Sequence, residues 1–100
     1  MENDSILMAY YKKCKANLDS PIALDMCDTL FVRSEKAGNR RLMAIAKCLK
    51  LDYYYYKNDE ENILKSVKEA KLISRKYNQL KYYYFAWGSR LIIYYLKQNK

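Results

Sequence analysis

A chain of 100 residues builds one hydrophobic core and lacks the volume for two. Its 2 Gly and 1 Pro fall well below average usage, which argues against β-sandwiches, barrels and hairpins that need turn residues about every 8–12 positions. The absence of His removes the commonest general base and zinc ligand, and the net charge of +8 is uneven: residues 1–38 carry five cations and six anions, residues 39–100 fourteen and five.

Five helices are predicted in chain order, each bounded by a start or stop signal. The first spans residues 4–17 and ends at Leu18-Asp19-Ser20-Pro21. There Ser20 is placed as the N-cap, and Pro21 as the first helical position, of a second helix over residues 21–37. Gly38-Asn39 stops that helix with a left-handed C-cap. The third helix, residues 40–57, ends at Asn58-Asp59; these side chains suit a cap on the fourth, whose positive N-terminal end favours Glu60 and Glu61. The fourth runs to about Tyr77, and Asn78-Gln79 turns into the fifth, residues 80–98. Short connections make consecutive helices antiparallel neighbours.

Sliding the chain by 40 residues lays residues 38–59 over 78–99 and the second helix over the fourth, pairing Ala46 with Ala86, Leu51 with Leu91 and Ser34 with Ser74. The apolar stripe repeats as well. On the third helix Leu42, Ile45, Ala46, Leu49, Tyr53 and Tyr56 share one face, and the shift carries them to Tyr82, Phe85, Ala86, Ser89, Ile93 and Leu96; none of the twelve is charged. On the fourth helix Ile63, Val67, Ala70 and Tyr77 form the seam. Burying each large side chain contributes roughly 1.5–3 kcal/mol against an ordering cost of about 1–2 kcal/mol per residue, so single hairpins are expected to need stacked neighbours.

The run 49–59, Leu-Lys-Leu-Asp-Tyr-Tyr-Tyr-Tyr-Lys-Asn-Asp, followed by Ile63, Val67 and Ala70, resembles the tetratricopeptide repeat. That pattern has small and aromatic residues in a first helix, a Gly-Asp-like turn, and spaced Ala and aromatic positions in a second. The chain departs from it in a period of 40 rather than about 34, in Asn58 at the turn glycine, and in lacking the glycine of the first helix. Longer, divergent repeats of this kind occur in the sensory regions of bacterial sensor kinases and helix-turn-helix transcription regulators, and the segment Tyr82–Arg90 is similar to those. The resemblance covers about residues 20–99. It implies an all-α, right-handed solenoid of two and a half antiparallel hairpins, acting without catalysis as an interaction scaffold or sensory module in signalling or transcription regulation.

In such stacks the first helix of each pair lines a concave groove. Opposite its apolar stripe the third helix carries Arg40, Met43, Lys47, Lys50, Tyr54 and Lys57; the equivalent face of the fifth carries Leu80, Tyr83, Trp87, Arg90, Tyr94 and Lys97. Lys47, Lys50, Tyr54, Tyr83, Trp87, Arg90, Tyr94 and Lys97 are therefore the expected partner-binding residues. Cations would pair with the carboxylates of an acidic peptide or partner protein, while Tyr and Trp supply rigid contact area. The competing reading is a solvated charged face whose aromatics touch neighbouring helices. A nucleic-acid partner, held by the basic C-terminal two-thirds, is the second functional reading, although no nucleic-acid-binding motif is legible.

Catalysis is not expected. Asp25 and Asp28, one turn apart, have neither a base nor a glycine loop beside them and read as surface acids. Cys14, Cys27 and Cys48 lie among apolar neighbours without metal-ligand spacing, so they read as reduced core thiols, favouring the cytoplasm, with neither metal nor cofactor implied. No signal peptide is legible, and the most apolar stretch, Tyr82–Tyr95, is broken by Arg90 and shorter than the roughly 20 residues of a bilayer span. Arg90 is the one charge between Tyr82 and Leu96. The flank of the fifth helix is therefore expected to be covered, by further repeats of a longer array or by a second copy in a homodimer.

Overall fold

Helix boundaries follow from capping chemistry. Asn3 accepts a hydrogen bond from the Ile6 N–H at 2.9 Å and starts α1, Asp4–Ala16. Asn39 does the same for α3, Arg40–Tyr56, through the Leu42 N–H at 3.0 Å, and Asp59 for α4, Glu60–Lys76, through the Asn62 N–H at 3.3 Å. With α2, Ala23–Lys36, and α5, Leu80–Gln98, these are the five helices of the computed structural model, which describes residues 3–98. Within α5 the described side chains are those of residues 80–84, 87, 88, 91, 96 and 97.

The second helix begins two residues later than its sequence implies. The Ser20 carbonyl accepts from the Ala23 N–H at 3.1 Å and its hydroxyl from the Ile22 N–H at 3.3 Å. The serine thus closes a turn of its own instead of capping a helix at Pro21, and Ile22 takes the N-cap position.

The other three connections are one turn used three times. Gly38, Asn58 and Asn78 have φ of 69°, 56° and 60°, the left-handed conformation that Gly adopts without penalty and Asn more readily than most residues. The next N–H in each case reaches back to a carbonyl of the preceding helix: Asn39 to Ser34 at 2.9 Å, Asp59 to Tyr54 at 3.1 Å, Gln79 to Ser74 at 2.6 Å. The N–H groups of Gly38, Asn58 and Asn78 themselves bond to Glu35, Tyr55 and Arg75 at 3.1, 3.1 and 3.2 Å, which completes the Schellman pattern. Asn39 and Asp59 then serve at once as the end of one helix and the N-cap of the next.

Helix α3 touches all four others. Contacts join α1 to α3 and α3 to α5, while α2 and α4 do not meet among the described residues. The odd helices therefore touch in series through α3, with α2 and α4 packed against α3 apart from each other, in a body of 49 × 30 × 17 Å. Two core clusters flank α3. One joins Leu7 and Cys14 of α1, Met26, Cys27 and Leu30 of α2, and Leu42, Ile45, Ala46 and Leu49 of α3. The other joins Cys48 and Leu51 of α3 with Ile63 and Ala70 of α4 and Tyr83, Trp87 and Leu91 of α5; Tyr82 packs against both.

With neighbours on two flanks, α3 is buried over far more of its circumference than one stripe. The expected positions Leu42, Ile45, Ala46 and Leu49 are in the core, and so are Met43, Ala44, Cys48 and Leu51. Tyr56, the last residue of α3, is 69 % exposed, as is Leu96 at the matching place in α5, at 68 %. Ile63 and Ala70 are buried in the α4 seam, with Val67 and Tyr77 half-buried. The expected stripe residues Phe85, Ala86, Ser89 and Ile93, and most of the apolar flank of α5, lie outside the described side chains. No helix among the described residues is long and apolar enough to cross a membrane.

Candidate functional site

Among the described residues, those expected to bind a partner do not form an open groove. Tyr83 and Trp87 are 2 % and 1 % exposed and belong to the second core, where the Trp87 ring meets Tyr55 edge-on at 5.1 Å. Lys47 and Lys50 face α2 and α4. The Lys47 ammonium stands 3.5 Å from a Glu69 carboxylate oxygen and 4.4 Å over the Phe31 ring; that of Lys50 donates to Asp28 at 3.1 Å. Burial pushes the Lys50 pKa down, but the hydrogen bond and charge of Asp28, with Glu69, outweigh it and leave the pKa above its ordinary value. Tyr54 is half-buried against the second core, and Lys97 is exposed. The side chains of Arg90 and Tyr94 lie outside the described ones. This face of α3 is thus a clasp between the even helices: Asp28, exposed on α2 as a surface acid, holds one end of it.

The open face of α3 is the one turned toward α1 and α5. A cavity of about 840 Å3 lies there, lined by Asp4, Met8 and Tyr11 of α1, Ala37, Gly38 and Asn39 of the turn, Arg40, Arg41, Leu42 and Ile45 of α3, and Tyr82 of α5. It sits where the N-termini of the odd helices gather. Asn39 holds that gathering together: its Oδ1 caps α3, and its Nδ2 donates to the Asp4 carboxylate at 2.9 Å, tying the start of α1 to the start of α3.

The charges around this cavity break a local rule. A helix N-terminus carries about half a positive charge and favours acids, by about 0.3–1 kcal/mol each. Helix α4 obeys, with Glu60 and Glu61 in its first turn, whereas α3 opens with Arg40 and Arg41 and has no acid in that turn. Both arginines are exposed. The Arg40 guanidinium lies 5.7 Å from the centre of the Tyr77 ring, and neither arginine has a carboxylate within ion-pairing distance among the described residues. Cations held against a helix dipole beside a cavity are a local conflict of the kind that marks functional sites. They create a place where an incoming anion relieves repulsion and accepts hydrogen bonds.

Tyr82 forms the α5 side of the cavity. Burial, with the nearby Cys48, Tyr11 and Asp52, pushes its phenol well above the ordinary tyrosine value, and Arg41 pulls back only in part; its hydroxyl is a neutral donor at any physiological pH. A smaller cleft of about 250 Å3 lies between Leu18, Asp19, Tyr53, Tyr56 and Lys57. The cysteines are unpaired and buried, with burial pushing the thiols of Cys27 and Cys48 up to about 12. Such thiols are poor nucleophiles.

Comparisons of the chain with family models, with curated proteins and with solved structures return no match. Arg41, Tyr11, Met8 and Asp4 were not among the residues that the hydrophobic pattern points to. One signal was legible: two arginines directly after the N-cap Asn39, where twenty residues later two glutamates follow the N-cap Asp59.

Proposed function

We propose that this chain is a non-catalytic protein-interaction module, a scaffold or sensory element of a regulatory protein, that takes a segment of a partner into the groove between α1, α3 and α5. The observation that carries this reading is the Arg40-Arg41 pair at the start of α3, unpaired with carboxylates among the described residues and opening onto a cavity with Met8, Tyr11 and Tyr82 around it. Guanidinium groups recognise carboxylates through paired hydrogen bonds, and tyrosines supply contact area at low entropic cost. The tetratricopeptide resemblance belongs to the same proposal. Odd helices in contact through α3, a small residue at the α3 crossing (Ala46) and a turn repeated at fixed spacing all support a right-handed stack whose groove is the odd-helix face.

Fluorescence anisotropy with labelled acidic and basic peptides tests the proposal. Acidic peptides bind, and Arg41→Glu weakens them by about tenfold or more, the equivalent of ~1.4 kcal/mol. Lys68→Glu, exposed on α4, leaves them unchanged. Equal loss in both variants, or none in Arg41→Glu, overturns the assignment. The second reading, nucleic-acid binding, draws on the exposed Lys65, Lys68, Arg75 and Lys76 of α4; it requires oligonucleotide affinity that falls steeply with salt and is lost in Lys68→Glu.

A further inference from the structure

Accepting the groove as the partner site, we infer that it selects a peptide segment of mixed charge: a carboxylate for Arg40 and Arg41, a cation or N–H donor for Asp4, and an apolar or aromatic residue between them. Asp4 and the arginines line the same cavity from different helices. Opposite charges so placed would ordinarily collapse into an ion pair, yet none forms among the described residues. The Asn39 bridge helps to keep them apart. Its amide is held from both sides, by the Leu42 N–H and by the Asp4 carboxylate, so the acid is anchored on the α1 wall, while Arg40 and Arg41 line the cavity from α3.

Asp4 is stable where it stands, in the first turn of α1, where the helix end favours an anion. One of its oxygens accepts from Asn39, and the side chain is exposed toward the cavity it lines. A ligand carrying only negative charge, such as a phosphate run or a polyglutamate stretch, gains at the arginines and is repelled at Asp4. A ligand with both signs gains at both walls. Charge juxtaposition of this kind sets specificity more than raw affinity. Between the walls Met8 and half-buried Tyr82 offer apolar surface, with Leu42 and Ile45 of the core beneath them, and an apolar side chain fits there. Packed helices lie about 8–10 Å apart and an extended chain advances about 3.3 Å per residue, so the two ligand charges stand about three residues apart.

The test uses the whole chain and labelled peptides of three types: Lys-Leu-Phe-Glu, Ser-Leu-Phe-Glu and Glu-Leu-Phe-Glu cores with identical neutral flanks. Anisotropy should place the lysine peptide about tenfold tighter than the all-acidic one. Asp4→Asn keeps an oxygen for Asn39 while removing the charge, and brings those two peptides to within about twofold without changing the serine peptide. The Asn39 side-chain amide resonance shifts on binding, which localises the ligand. Equal affinity for the lysine and all-acidic peptides, a preference that survives Asp4→Asn, or displacement of the lysine peptide by a single-stranded oligonucleotide overturns the inference. Arg41→Gln separates the two levels. If it leaves all three affinities unchanged, the groove assignment itself fails; if it weakens all three while the lysine preference is absent, only the mixed-charge inference fails.

Discussion

Replacing Arg41 by Glu is expected to stabilise the fold while destroying the site. Arg41 is the second residue of α3, exposed and set against the positive end of a 17-residue helix. Each favourable charge at a helix end contributes about 0.3–1 kcal/mol, so exchanging a cation for an anion counts that term twice, about 0.6–2 kcal/mol. The new carboxylate lies in the same cavity as Asp4, and repulsion between exposed charges takes back a few tenths of a kcal/mol. The net gain is about 0.5–1.5 kcal/mol, and each kcal/mol raises Tm by roughly 4–8 °C in a domain of this size. Arg41→Gln, which only removes the cation, gains about half as much. Urea titration at low salt and again at about 1 M NaCl, where the Debye length falls to about 3 Å, measures the difference. The gain should shrink at high salt while the urea m-value stays unchanged. A destabilised Arg41→Glu protein, or a gain of equal size at both salt concentrations, refutes the dipole argument and with it the reason for regarding these arginines as kept for a ligand.

Three further outcomes follow from the same geometry. Asn39→Ala removes both the α3 cap and the tie to Asp4 and should cost about 1–2 kcal/mol, whereas Asn39→Ser keeps the cap and recovers about half; a Ser variant as stable as the parent on denaturation would mean that the Asp4 tie contributes nothing, and equal losses in the two variants that the cap does not. Trp87→Ala should cost about 3–5 kcal/mol because the ring is 1 % exposed; a mutant of near-native Tm that loses peptide binding would restore Trp87 to the binding surface. Stability should fall between pH 9 and about 12. In that window the unfolded chain has released the protons of Cys27 and Cys48 while the native state still holds them, with Tyr82 adding in the same direction. The slope is on the order of 1 kcal/mol per pH unit for each thiol, and a Cys48→Ala protein with an unchanged slope would contradict it.

Helix spans and turns were legible because they are local. A left-handed residue needs Gly or Asn, and a cap needs Asn or Asp. Gly38-Asn39 and Asn58-Asp59 supply both within two positions, and the helices begin and end within a residue or so of where these signals fall. The exception, the start of α2, is also local: Ser20 had two ways to use its oxygens, and a preceding turn took them. The seam of α4 was readable because α4 has one apolar side and one charged one. Which face of α3 stays open was not. Its polar positions fall in two groups, Arg41 on one side and Lys47 with Lys50 on the other, and periodicity treats both as solvent faces. Which group is open depends on residues far along the chain: Asp28 reaches Lys50 across 22 positions, Glu69 reaches Lys47 from α4, and together they close that side.

The sequence by itself determined five helices, their turns and the chemical kinds of side chain available for recognition, since capping, left-handed turns and amphipathic spacing act over a few residues. Only the tertiary structure decided that Tyr83 and Trp87 are core, that the lysines of α3 are a clasp, and that Arg40 and Arg41 share a cavity with Asp4, Tyr11 and Tyr82. Those assignments depend on which helix lies against which, and a helix with neighbours on two flanks presents an ambiguous pattern until the neighbours are in place.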